Sequence, residues 1–201
     1  MDDEAISAGR LSDFVAGFRR AMEHGATSSV PCGGCTACCR MAHFVQIEPD
    51  ETDTLAHIPP ELLAPAVGGR SDATLTLGYD SDGRCPMLSE QGCRIWEHRP
   101  QVCRTYDCRV YPATGLPAEQ PPVAERVRRW RFTADDPGAE TAAASVKAAA
   151  VSLTEHFPES PASARAAAAV ALADIFADGV PAGLDRDTLA GEIRRRFGQT
   201  P

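Results

Sequence analysis

Lysine is nearly missing from this chain: Lys147 is the only one, and arginine supplies the rest of its 20 basic residues. Basic residues are also outnumbered, by 28 acidic side chains, which leaves a net charge of −8. General nucleic-acid and membrane-surface binders carry a broad basic face, so neither partner class is expected. Long apolar runs are missing too. The longest stretch, ASARAAAAVALADIFA, is broken by Arg165 and Asp174 and is too short and alanine-rich for a membrane span. The opening MDDEAISAGR is acidic and has no apolar core, unlike a secretory signal. No Walker loop, G-x-S-x-G, H-E-x-x-H or separate glycine-rich cofactor motif is present. Asp80 and Asp82 beside Gly83 read as turn formers, because the EF-hand spacing around them is absent. The expected compartment is therefore the cytoplasm, where structural disulfides are rare.

What the chain does have is cysteine, all eight between Cys32 and Cys108. They form two groups of four. The first, in PCGGCTACCR, is Cys32, Cys35, Cys38 and Cys39, spaced C-x2-C-x2-C-C. The second is Cys85, Cys93, Cys103 and Cys108. With 43% hydrophobic residues the chain can build an ordinary core, so staples are not obligatory. Eight thiols in a reducing compartment point to metal ahead of disulfides or bare redox thiols. Four plus four matches two tetrathiolate sites, and both Zn2+ and a [4Fe–4S] cluster take four thiolates. The C-x2-C step lets one tight turn aim two sulfurs at one point. Cys32, Cys35 and Cys38 repeat it, as the first ligands of bacterial ferredoxins do. Adjacent side chains diverge, so Cys38 and Cys39 are expected to serve different sites, each completed by the second group. Iron–sulfur is favoured for at least one site, with zinc as the alternative. Arginine adjoins five cysteines, at Arg40, Arg84, Arg94, Arg104 and Arg109, and guanidinium groups there would support thiolates.

The segments CGGCTACCR and GRCPMLSEQGCRIWEHRPQVCRTYDC resemble the YkgJ-type cysteine-cluster proteins, the CxxCxxCC zinc- or iron-chelating domain. The shared elements are all eight cysteines, Arg40, Pro86, Arg99-Pro100 and Arg104, over residues 30–111. Trp96 stands where the family usually has another aromatic, often tyrosine. The resemblance implies zinc or iron chelation. One branch includes flagellin lysine-N-methylases, which implies iron–sulfur-dependent redox or methyl-transfer chemistry as one alternative activity. Electron transfer, or recruitment of an unknown protein or small-molecule partner by a structural metal module, is another.

Other residues are weaker candidates. His43 and His98 lie near the cysteines and are metal-capable, though a structural role fits them better. Trp96, Tyr106 and Tyr111 either screen a cluster from water or form local core. In RVRRWRF, Arg126, Arg128, Arg129 and Arg131 surround Trp130. This is a candidate anion or cofactor site with Trp130 as a stacking surface, or else a solvated face. No catalytic residue is identifiable.

The expected fold is mainly α with a small β-hairpin: an irregular, metal-nucleated cysteine-rich core plus C-terminal helices. The expected domains are 1–115, including an N-terminal helix over about 10–24 closed by Gly25, and a helical region 116–201 packing on it. Periodicity places short helices within 48–67, strands flanking an Asp82–Gly83 turn, and a short helix from Pro100 to Tyr106. VAERVRRWRF fits strand or helix. Helices follow at about 139–157, 161–177 and 185–197, the second with Ser160 as N-cap and Pro161 at its first position.

Overall fold

A computed structural model of the chain describes residues 4–24, 26–69 and 71–197. Gly25, the expected helix stop, lies outside the described residues. Two compact units emerge. One joins the N-terminal segment to residues 107–201, and the other is Cys32–Tyr106, inserted between them in sequence.

The first unit is mainly helical. Its elements are β1 (Ile6–Arg10), α1 (Leu11–His24), α4 (Val110–Thr114), α5 (Pro121–Val127), β7 (Trp130–Thr133), α6 (Ala139–His156), α7 (Ala162–Ala171) and α8 (Arg186–Phe197). The helix expected over 10–24 forms, but it packs on α6, α7 and α8 and so belongs with the C-terminal helices. The reason lies in its apolar stripe. Leu11, Phe14, Phe18 and Ala21 are buried, and the Phe14 ring meets Phe18 and Phe132 at 5.8 and 5.1 Å. The alanine run of α7 has a packing role. Ala166 and Ala169 are fully buried, and small side chains let helices approach closely. Leu153, Leu172, Phe176 and Leu189 fill the remaining core, with Phe157, Ile193 and Phe197 at its edge.

The N-cap of α7 is Pro161, without a side-chain cap from Ser160. Arg165 holds that turn instead, donating to the carbonyls of Phe157, Pro158 and Ser160. VAERVRRWRF divides into the end of α5 and strand β7. β7 pairs in parallel with β1, joining Ile6 to Trp130 and Arg10 to Thr133.

The second unit holds α2 (Thr52–Ala56), α3 (Gln101–Thr105) and small sheets. Strands β2 (Val45–Ile47), β4 (Leu75–Leu77) and β3 (Leu63–Pro65) form an antiparallel sheet in the order β2-β4-β3. Val45 and Ile47 point inward and Gln46 outward, the period-2 pattern of a half-buried strand. The hairpin is β5 (Leu88–Ser89) with β6 (Gly92–Cys93), not strands flanking Asp82–Gly83. The turn at Asp80–Arg84 closes on itself. The Asp80 carboxylate accepts from the backbone N–H of Asp82 and Arg84, both at 2.9 Å. The chain leaving it bonds to the first cysteine loop instead, through Cys85 N–H to the Cys39 carbonyl at 2.8 Å.

Mainly helical content with small β elements thus matches the expected class. No helix among the described residues is long and apolar enough to cross a membrane.

One buried ion pair ties the first unit together. Arg109 donates to both carboxylate oxygens of Asp107, at 3.0 and 2.7 Å. It also reaches the Ala8 carbonyl at 3.2 Å and the Ser29 hydroxyl at 3.4 Å, while Ser28 donates to Asp107 at 2.5 Å. Both charged side chains are almost wholly buried. Removing one partner strands the other charge, which typically costs about 3–5 kcal/mol. Arg109→Met should therefore lower the stability of this unit by about that amount in urea unfolding. A loss below about 1 kcal/mol would show that the pair is dispensable.

Candidate metal centre

None of the eight cysteines is in a disulfide, and all are partly buried. Seven of them belong to the 32–106 unit. The first group lies on a tight loop. Cys35 N–H donates to the Cys32 carbonyl and Cys39 N–H to that of Thr36, both at 3.0 Å, and residues 37–40 form a single 3-10 turn. The Cys85 to Cys39 backbone bond and the Ala42 N–H to Gly83 carbonyl bond, at 2.9 Å, fasten this loop to the start of the second group. Gly83 has a φ of +74°, and a Cβ there would sit 3.0 Å from the Ala42 side chain. Only glycine fits both conditions. Cys93 sits on β6 and Cys103 on α3. Glu51 caps α3, accepting from the Gln101 N–H at 2.5 Å and from Glu48 N–H at 3.0 Å.

The second-group thiols of this unit sit against an apolar cluster of Val45, Ile47, Ile58, Leu77, Met87 and Ile95, with Cys85, Cys93 and Cys103 packed at its edge. Burial pushes the Cys103 thiol up to about 12, and the charges of Cys38, Cys85 and Cys93 push the same way. Burial also raises Cys85, with Cys93 and Cys38 adding to it, while the Met87 N–H pulls it down. Cys38 is raised most, first by its hydrogen bond with Cys39, then by burial and the Cys39 charge. Cys38, Cys85, Cys93 and Cys103 are therefore electrostatic neighbours. Cys39 contacts Cys38 through the hydrogen bond between their thiols.

The arginines act differently from the adjacency pattern. Among the guanidinium groups, Arg94 favours the Cys85 thiolate and Arg99, which adjoins no cysteine, favours that of Cys103. Arg104 turns to Gln101 and Glu51, and Arg109 to Asp107. Arg40 and Arg84 are exposed.

Cys108 belongs to the helical unit, between the paired Asp107 and Arg109. Its Sγ accepts a hydrogen bond from the Trp130 indole N–H at 3.2 Å. A buried indole N–H seeks a partner, and here it finds sulfur, the kind of donor that tunes a metal ligand. Trp130 is 2% exposed, so it offers no free face for stacking a ligand. The Arg126 guanidinium lies 4.7 Å from its ring centroid and reaches the Pro31 carbonyl. Arg129 donates to the Glu4 carbonyl, and Arg131 to those of Arg128 and Trp130. Arg128 is exposed. These contacts of Arg126, Arg129 and Arg131 thus go to backbone carbonyls and the Trp130 ring.

Tyr111 is buried core, Tyr106 donates to the Met41 sulfur at 3.7 Å, and Trp96 is 45% exposed beneath Arg99. Burial holds the His43 imidazole below its ordinary range. His98 faces Asp53 and His57, two residues that the spacing of the cysteines gave no reason to single out.

The donor set fits a thiophilic cation. Buried, mutually repelling thiols resist ionisation unless a positive centre stabilises the thiolates. Metal-free protein therefore has a definite pH dependence. Folding raises the Cys38, Cys85 and Cys103 thiols above the ordinary value of 9.0. As pH climbs past about 9, the unfolded chain sheds protons that the folded chain keeps, so stability falls until Cys103 ionises near about 12. The unfolding midpoint of metal-free protein should drop between about pH 8 and about pH 11, while that of metal-loaded protein changes less. A flat or rising midpoint without metal would contradict the burial of these thiols.

The sequence comparisons bear on the same region. No curated protein and no solved structure matches this chain. Residues 31–121 match the family described as "CxxCxxCC: Putative zinc- or iron-chelating domain". That span takes in all eight cysteines and supports metal binding by the chain. Over this segment the chain is similar to the CxxCxxCC family of zinc- or iron-chelating domains.

Proposed function

We propose that this is a cytoplasmic metal-binding protein whose eight cysteine thiolates hold metal, with a [4Fe–4S] cluster in at least one site. The observation carrying this reading is that Cys85 and Cys103 each feel the charge of Cys38 and Cys93, and that Cys85, Cys93 and Cys103 lie at the edge of one apolar cluster. These four come from both cysteine groups, so one centre draws on both. Cys39 also contacts Cys38 through the hydrogen bond between their thiols; we assign it with Cys32 and Cys35 to a second set because four sulfurs already complete the first.

A cluster is favoured by the repeated C-x2-C step of Cys32, Cys35 and Cys38, the spacing of the first ligands of bacterial ferredoxins. When bound, such a cluster supplies one-electron redox chemistry. The chain's own part is to aim four thiolates, exclude water with Ile47, Met87 and Ile95, and donate hydrogen bonds to sulfur, as Met87 N–H does to Cys85.

Protein purified without oxygen should be brown and contain iron and acid-labile sulfide. Cys38→Ser and Cys39→Ser should each deplete a different part of the bound metal. Colourless protein carrying about two zinc ions per chain would replace the cluster with structural zinc. Loss of the same metal from both variants would refute the division of the adjacent pair.

A further inference from the structure

Away from the thiols, Asp53, His57 and His98 bring three metal-capable side chains together in the 32–106 unit. Asp53 and His57 stand four residues apart, on α2 and at its C-terminal cap, a spacing that puts both on one helix face. His98 arrives from the 3-10 turn at Trp96–His98. Its Nδ1 lies 2.8 Å from Asp53 Oδ2. The Nδ1 of His57 lies 2.8 Å from the Asp53 carbonyl and 4.0 Å from Asp53 Oδ1. The two imidazoles stack face to face, with centroids 3.5 Å apart and planes within 6°.

We propose that Asp53, His57 and His98 form a second, thiol-independent metal site for a divalent first-row transition ion of the zinc class. Two imidazoles and one carboxylate are the donors such ions prefer, whereas magnesium and calcium take oxygen. One ligand atom from each residue already lies within 4.8 Å of the other two. An ion replacing the proton between His98 and Asp53 would widen their 2.8 Å contact to about 3.4 Å, given bonds of about 2.1 Å and a tetrahedral angle.

Parallel rings do not aim their lone pairs at a common point, so binding requires one imidazole to swing out of the stack. Both histidines are partly exposed, at 42% and 37%, which leaves room for that rotation. Three protein ligands leave at least one position to water, the mark of an exchangeable or reactive site rather than a closed structural one.

Cobalt(II) separates this site from the thiolates, because only sulfur ligands give intense charge-transfer absorption. Full-length protein with its thiolate sites already filled is titrated with Co2+ without oxygen. One further equivalent should bind, with weak visible bands and no added sulfur charge transfer. The double variant His57→Gln/His98→Gln should lose that equivalent and keep the sulfur-bound metal. Asp53→Asn should weaken it at least about 10-fold. Failure of the native chain to take up the further equivalent overturns the proposal. So does uptake by the double variant with unchanged affinity. Circular dichroism and the retained sulfur-bound metal verify that the variants are folded, so a loss of binding reports on the site.

Discussion

Taking a thiol out of water beside other thiols opposes its ionisation, and the 32–106 unit does this several times over. Cys38, Cys85 and Cys103 all have their titration pushed upward by burial or by neighbouring sulfur. The apolar cluster against which Cys85, Cys93 and Cys103 pack has only six buried members. Such a core gives limited stability, and small cysteine-rich units commonly rely on bound metal for the rest. A cation turns the liability into cohesion, since it binds the thiolate form that burial disfavours. The local architecture serves that end. The 3-10 turn at Ala37–Arg40, the Cys85 to Cys39 bond, Gly83 against Ala42 and the Glu51 cap on α3 each set the backbone from which a sulfur projects.

The helical unit treats its one cysteine differently. Cys108 is flanked by a buried ion pair and receives an indole N–H, so its backbone and its sulfur are both held. The same Asp107–Arg109 pair anchors the Ala8 carbonyl and the Ser28–Ser29 segment. The chain thereby returns from the inserted unit into a frame that α1, α6 and α7 build from aromatic and alanine packing.

Much of this frame is legible in the sequence. α1 is readable because Leu11, Phe14 and Phe18 recur at helical spacing, and α6 and α8 because Val146, Ala150, Leu153, Leu189 and Ile193 do. The eight cysteines are readable as metal-capable because spacing carries that signal directly. The rest depends on distance along the chain. β1 has no strand-like alternation, since its partner β7 lies more than a hundred residues away and decides its conformation. The hairpin moved from Asp82–Gly83 to Leu88–Cys93 because Asp80 closes the first turn on itself. Trp130 looked like a stacking surface among arginines, yet its ring is buried and its N–H is committed to Cys108. The partners of His98 were invisible for the same reason: Asp53 and His57 meet it only after folding.

The central claim is that sulfur surrounds the bound metal in this protein. X-ray absorption at the iron and zinc edges of protein purified without oxygen tests it most directly. The account predicts a first shell made of sulfur at about 2.3 Å around the tightly bound metal. A first shell of nitrogen and oxygen near about 2.0–2.1 Å, with no sulfur, would contradict it.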